Sequence, residues 1–485
     1  MITQDDVLYL IVTDRFADGD PANNADVDRS SLDRRHGGDL LGIIQRMPYL
    51  KQLGVTALWI TPVYLNPPEA YHGYHPLDFE QVDPHLCSPS LGPTGSREVV
   101  RRFVEIAHEH GLKVVLDVIV NHTAPNHPWL RERPDWFNPS APSVEKWWVW
   151  GLPDLNHNNI EVNMYFTRNV IDWITLTGVD AIRIDAARHV ETEFWDKFKL
   201  FAKGLHPTVT LIGEVWDANV AQVAPFQAYH GFDSMFDFPL YHAILDVFAH
   251  DQGFGRIARP ELSENEPLGI LNQDKAYRNA YQLVTFLDNH DTPRFFHLAG
   301  GQAQQKEAVV RTRLALTFLF TTRGIPQLYY GDELGMDGGP HPDNRRDMPW
   351  SLVDGPDTAS PQAAVAHEMR GFTQRLIRLR RSSMALRYGL LTTLYLTPTV
   401  YAFARTFPDD VRIVVLNNGR DAIDLVVPIH ANTRLPRLAL QQLPNGLRLS
   451  NEFDPQDRIE VREGNVRVCL PGKTGAVYRP DGAPS

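Results

Sequence analysis

With 485 residues, 43% of them apolar and 22% charged, the chain has the make-up of a globular protein with room for about two to four domains. A formal net charge of −12 argues against a nucleic-acid partner, which would call for a basic face. Two cysteines, Cys87 and Cys469, are too few for a thiolate metal site or a disulfide framework.

The N-terminal stretch MITQDDVLYLIVTDRF has no basic flank, and its apolar run breaks at Asp14. The expectation is a cytoplasmic protein without a leader, with no membrane partner, since no segment nears the ~20 apolar residues of a span. Leu8 to Phe16 reads as a first strand. The polar loop after it is dense in oxygen donors (Asp18, Asp20, Asn23, Asn24, Asp39), the ligand chemistry of a hard cation such as Ca2+. Leu40 to Leu53 reads as a helix closed by Gly54, and Val55 to Val63 as a buried strand. Ser96 to His110 predicts an amphipathic helix ended by Gly111, and Lys113 to Val120 a third strand terminating in Asn121-His122. From His122 to about Asn163 the rhythm breaks into a Trp- and Pro-rich stretch, read as an insertion.

Ile160 to Thr177 is the next helix, and it feeds GVDAIRIDAARH, residues 178–189. Apolar alternation makes this a buried strand, and period-2 spacing sets Arg183 and Asp185 on one face of it. Taken alone, such a pair reads as a structural ion pair. Further strands are expected at Val209 to Val215, Ser234 to Phe238, Gln282 to Leu287 and Ile325 to Tyr330, with helices between them. Eight strand candidates, each followed by a helix, predict an α/β fold, a closed (β/α)8 TIM barrel, over a doubly wound open sheet. After the helix Gln362 to Arg381 come short alternating strands, an antiparallel β-domain of sandwich type. The expected boundaries are 1–121 with 164–383 for the barrel, 122–163 for the insertion and 384–485 for the β-domain.

In such a barrel the chemistry lies at the C-terminal strand ends. Those ends carry Asp117, Asn121 and His122; Arg183, Asp185 and His189; Glu214; and Asp288, His290 and Asp291. Three carboxylates at one mouth, flanked by His and Arg, are a heavy burden for a purely structural core and suit a paired-carboxyl glycoside hydrolysis. Metal-assisted hydrolysis is the other reading for a barrel, but no H-x-H or H-E-x-x-H spacing supports it.

DVIVNH (117–122), GVDAIRIDAARH (178–189), GEVW (213–216) and FLDNHD (286–291) together resemble the four sequence regions of the α-amylase family, glycoside hydrolase family thirteen. LPDLN (152–156) is similar to its fifth region, and the likeness runs through nearly the whole chain. The resemblance implies Asp185 as nucleophile, Glu214 as general acid/base and Asp291 as the carboxylate that stabilises the transition state. It implies sugar contacts from Tyr74, His122, Arg183, Arg188, His290 and Arg345. Glu214 is expected to be desolvated by Val215 and Trp216. The resemblance also implies structural Ca2+, held by Asn121, Asp154 and the His189 carbonyl, and in the first loop by Asp18, Asp20, Asn23, Asn24, Gly37 and Asp39. Three positions depart from the family's habit: Arg188 where Lys is common, His75 where Trp is common, and His341 where Asp is common, with Asp343 the nearest carboxylate. The expected substrate is a soluble or cyclic α-glucan, hydrolysed or transferred by the same site, in a monomer or homodimer. A non-catalytic relative would have lost the three carboxylates.

Overall fold

The computed structural model describes residues 1–140, 143–146, 148–261, 267–355 and 360–482. Eight parallel strands form the inner sheet: Leu8–Ile11 (β1), Ala57–Ile60 (β2), Lys113–Val118 (β3), Ala181–Ile184 (β4), Thr210–Gly213 (β5), Ser234–Met235 (β6), Val284–Thr285 (β7) and Ile325–Tyr329 (β8). They are hydrogen-bonded in the order β6-β5-β4-β3-β2-β1-β8-β7. A parallel bridge between Phe236 and Val284 joins the two ends, so the sheet closes into the expected barrel.

The strands are shorter than the apolar runs that contain them. The first run continues to Phe16, but the chain leaves the sheet after Ile11 and Thr13–Phe16 forms a helical turn. The cause is polar. Asp14 accepts the main-chain N–H groups of His36 (3.0 Å) and Gly37 (3.2 Å), while Arg15 donates to the carbonyls of Leu32 and Arg34. Gly38 passes so close that a Cβ there would lie 2.2 Å from the Thr13 carbonyl oxygen. The second strand likewise covers only Ala57–Ile60 of the expected Val55 to Val63.

Helix ends follow their capping chemistry closely. Asp39 accepts from Gly42 N–H (2.6 Å) at the start of Leu40–Leu53, and Gly54, at φ 103°, ends it. Asn159 caps Ile160–Thr177, which Gly178 closes at φ 72° just ahead of β4. Between β3 and that helix the described chain holds short helical turns and two isolated bridges, His122 with Asp154 and Phe137 with Leu155. Ala141, Pro142 and Trp147 of this Trp-rich stretch lie outside the described residues.

Residues 390–480 form eight antiparallel strands: Leu390–Leu396 (β9), Val400–Phe407 (β10), Asp410–Asn417 (β11), Ile423–Pro428 (β12), Arg448–Asn451 (β13), Arg458–Arg462 (β14), Asn465–Leu470 (β15) and Thr474–Pro480 (β16). One unbroken order, β9-β10-β11-β16-β13-β14-β15-β12, runs through this antiparallel β-domain. Pleat alternation divides β10 between two cores. Tyr401 and Phe403 pack with the barrel, whereas Val400, Ala402 and Ala404 face the β-domain's own core. Among the described residues no helix is long and apolar enough to cross a membrane.

Candidate active site

Asp117 and Arg183 are register partners on β3 and β4, and this pairing builds the floor of the barrel mouth. Arg183 is fully buried. Its Nη1 donates to Asp117 (2.9 Å) and to Asp185 (2.7 Å), and its Nη2 lies 2.6 Å from Glu214 Oε1. Asp117 also accepts from Trp59 Nε1 (3.0 Å) and Tyr74 Oη (2.7 Å). One guanidinium therefore faces three carboxyl groups in a buried place, and ionising all three would leave two negative charges uncompensated.

Burial raises the Asp117 carboxyl to about 7 against the pull of Arg183, and Glu214 rises further. Burial pushes its carboxyl up to about 8, Arg183 opposes the shift, and Asp185 and Asp291 add to it. Trp216 contributes less than expected: it is 45% exposed at the rim and stacks on Phe238 with ring centres 5.2 Å apart. A feature that the sequence did not disclose is Ala186, whose φ of 49° turns its N–H toward Glu214 Oε2 at 3.3 Å. A left-handed alanine is strained backbone, the kind that persists where surrounding structure holds it for function.

Asp291 faces this group from the end of β7. Arg345 donates to Asp291 Oδ1 (2.8 Å) and to the His290 carbonyl (2.7 Å). Burial raises the Asp291 carboxyl, but the Arg345 and Arg183 guanidiniums help to outweigh it, and it is held below the usual carboxylate range. The His290 ring lies parallel to Tyr74 at 5.1 Å, its Nε2 3.1 Å from Asp291 Oδ2 and its Nδ1 without a hydrogen-bond partner. Burial drives its pKa down to about 3, so a neutral imidazole stands there at neutral pH. His122 is placed differently: Nε2 donates to the Tyr74 carbonyl (3.1 Å) and Nδ1 meets Asn121 Nδ2 (3.3 Å).

Asp185, Glu214, Asp291, Arg183, Tyr74, His290 and Arg345 are thus brought together. Arg188 lies at the rim, paired with Asp217 (2.7 Å) and donating to the Trp216 carbonyl. Asp343 turns to the Gly339 N–H (2.7 Å) and Arg346 instead of to the other carboxylates. Two supporting residues escaped the expected set. Asp117 was named among the strand-end polar residues but given no role, whereas Asn344, which donates to the carbonyls of His290 (2.8 Å) and Thr292 (2.9 Å), carried no local signal.

Among the described residues no three His, Cys, Asp or Glu side chains gather closely enough to hold a metal by themselves, so a cation here would draw on amide and carbonyl oxygens. The residues of both expected places fit one. With Nδ2 toward His122, the Asn121 side-chain oxygen lies 3.1 Å from the His189 carbonyl and 3.2 Å from Asp154 Oδ1, so three oxygens converge. Because His122 already donates through Nε2, its Nδ1 requires a donor, and this favours that orientation of the amide. In the first loop, buried oxygens of Asp18, Asn23 and Asn24 have no hydrogen-bond partner. Gly37 admits Asn24 only because it lacks a side chain: a Cβ would sit 2.5 Å from the Asn24 oxygen. Asp20 and Asp39 accept N–H groups of the loop instead.

Comparison with known proteins bears on the whole chain. The α-amylase catalytic-domain family matches residues 10–151 and 143–377. A β/α-amylase of Paenibacillus polymyxa is 32% identical over 496 residues, 97% of this chain, which spans only 37% of that protein. A cyclomaltodextrinase of Thermoanaerobacter pseudethanolicus is 32% identical over 86% of this chain and 71% of its own length. The crystal structure of an α-amylase from Anoxybacillus superposes with a TM-score of 0.83 at 33% identity, covering 100% of this chain and 99% of the other. Closed barrel, strand-end carboxylates and these relatives agree, and the chain belongs to the α-amylase family of glycoside hydrolases.

Proposed function

We propose that the protein hydrolyses α-1,4-glucosidic bonds of maltooligosaccharides, soluble starch or cyclic maltooligosaccharides with retention of the anomeric configuration. The observation that carries this is the single Arg183 guanidinium in contact with both Asp185 and Glu214, with Asp291 opposite. Both carboxyls lie within 2.7 Å of that one guanidinium, a closeness that supports a nucleophile and an acid acting on the same glycosidic bond.

In the first step Asp185 attacks the anomeric carbon, the glycosidic C–O bond breaks, and Glu214 gives its proton to the departing oxygen. Water then attacks the glycosyl–Asp185 ester, Glu214 takes its proton, and the carboxylate is released. Arg183 holds Asp185 in place through a 2.7 Å hydrogen bond, and Asp291 stabilises positive charge developing on the sugar. Tyr74 and the neutral His290 offer a parallel aromatic wall, and the unpartnered His290 Nδ1 is available to a sugar hydroxyl. Bound Ca2+ would supply structural charge at Asn121, Asp154 and His189 and in the loop of Asp18, Asn23 and Asn24, pinning segments rather than reacting.

An activity panel of starch, pullulan, maltooligosaccharides and cyclodextrins, with product anomers followed by NMR, tests the reading. Retained α-products and loss of turnover in Asp185→Asn are expected. Inverted products would overturn the mechanism, and mainly longer or cyclic products would make the enzyme a transglycosylase working through the same site.

A further inference from the structure

Glu191 stands two residues beyond His189, buried, where the proposed reaction gives it no task. Its Oε1 accepts from Asn158 Nδ2 at 3.0 Å and from Asn138 Nδ2 at 3.4 Å, and its Oε2 has no hydrogen-bond partner. The same Asn138 nitrogen donates to Asp154 Oδ2 at 2.9 Å. One neutral amide thus bridges two buried carboxylates, and the side-chain donors they meet are amides rather than cations. Two like charges so placed are costly unless a positive charge joins them. Asp154 also faces the Asn121 oxygen and, through it, the His189 carbonyl, where three oxygens already converge.

We propose that Glu191 is the second anion of this cation site: through Asn138 it fixes the Asp154 carboxylate, and its charge balances the second charge of a bound Ca2+. The proposal deepens the calcium reading given above and rests on it. Glu191 acts as a positioning residue behind Asp154, as the outer partners of metal ligands commonly do. It also ties the cation to the catalytic floor, because Asn121 adjoins His122 and His189 closes the segment that carries Arg183 and Asp185.

The test uses the full chain stripped with EDTA and titrated with Ca2+ by calorimetry, with Tm measured in EDTA and in Ca2+. Asn24→Ala identifies the heat of the first-loop site so that it can be separated. Glu191→Gln is expected to weaken binding at the remaining site by about 10- to 100-fold. Its Tm in EDTA should hold or rise, since a buried repulsion is removed, while its gain in Tm on adding Ca2+ shrinks. In an Asp154→Asn background the same substitution should add little, and Glu191→Asp should restore part of the affinity. Wild-type affinity in Glu191→Gln, or an equal fall in Tm with and without Ca2+, would overturn the proposal and leave Glu191 a merely structural acid. If Asp154→Asn leaves the titration of the wild type unchanged, the calcium reading itself fails, and this proposal with it.

Discussion

At the scale of single residues the site is a problem in charge: one buried cation, Arg183, among more carboxyl groups than it can neutralise. The conflict holds a proton on Glu214, and the sign of the pH dependence follows. A general acid works only while protonated, so kcat/KM should fall as pH rises through about 8, where Glu214 loses its proton. Asp291 must also be ionised, and because its pKa is held down, its own protonation should cost activity only below the ordinary carboxylate range. A pH–rate profile on maltoheptaose checks both limbs, and Glu214→Gln should remove the alkaline one along with most turnover. An alkaline limb that persists in that variant would assign it to another group. Tyr74 offers a separable test. Tyr74→Phe keeps the ring beside His290 but removes the Oη hydrogen bond to buried Asp117, and should cost about 1.5–3 kcal/mol in urea unfolding. Period-2 spacing set Arg183 and Asp185 on one face, but their roles were legible only with the other strand-end carboxylates and the family resemblance. Asn344 was not, since its two carbonyl partners lie more than 50 residues away in sequence.

At the scale of elements, legibility followed local chemistry. Leu40–Leu53 and Ile160–Thr177 matched their expected bounds because side-chain and glycine caps are written next to the helices they end. Strand ends were overrun because apolar residues continue into loops that pack over the barrel mouth, as Val12 and Phe16 do. Two β-domain strands, Arg448–Asn451 and Arg458–Arg462, went unread because they are short and half polar, so they never produce an apolar run. β10 was read as a strand, but its division between two cores was not, since alternation cannot say that both faces are covered. That division has a measurable weight. Phe403 is fully buried on the barrel side, its ring centre 6.5 Å from that of Phe318. Phe403→Ala should destabilise the protein by about 3–5 kcal/mol, read from denaturant unfolding. A loss below 1 kcal/mol would mean that the interface collapses freely around the cavity.

At the scale of the molecule, the barrel and the β-domain meet through polar as well as apolar contacts. Tyr401, Phe403, Val414, Leu416 and Val477 belong to the same continuous core as the barrel. Buried Arg405, on β10, donates to the main-chain carbonyls of Thr321 and Thr322, and Arg380, from the helix Pro361–Ser382, donates to those of Phe320 and Thr322. These carbonyls end the helix Gln305–Thr321, where unsatisfied oxygens and the negative end of the helix dipole favour cations. Burial drives both guanidinium pKa values down, yet Arg405 stays protonated at neutral pH with its pKa at about 10. Multidomain chains commonly unfold in steps, but here neither unit keeps a finished surface without the other. Scanning calorimetry should therefore show one cooperative transition for the wild type. Arg405→Met keeps much of the apolar volume and strands the Thr321 carbonyl, which costs about 1–3 kcal/mol when left unpaired, while the Thr322 carbonyl keeps its bond from Arg380. The variant should melt at a lower temperature, with the β-domain separating as an earlier step. Two well-resolved transitions in the wild type would show that the shared core is not enough to couple the units.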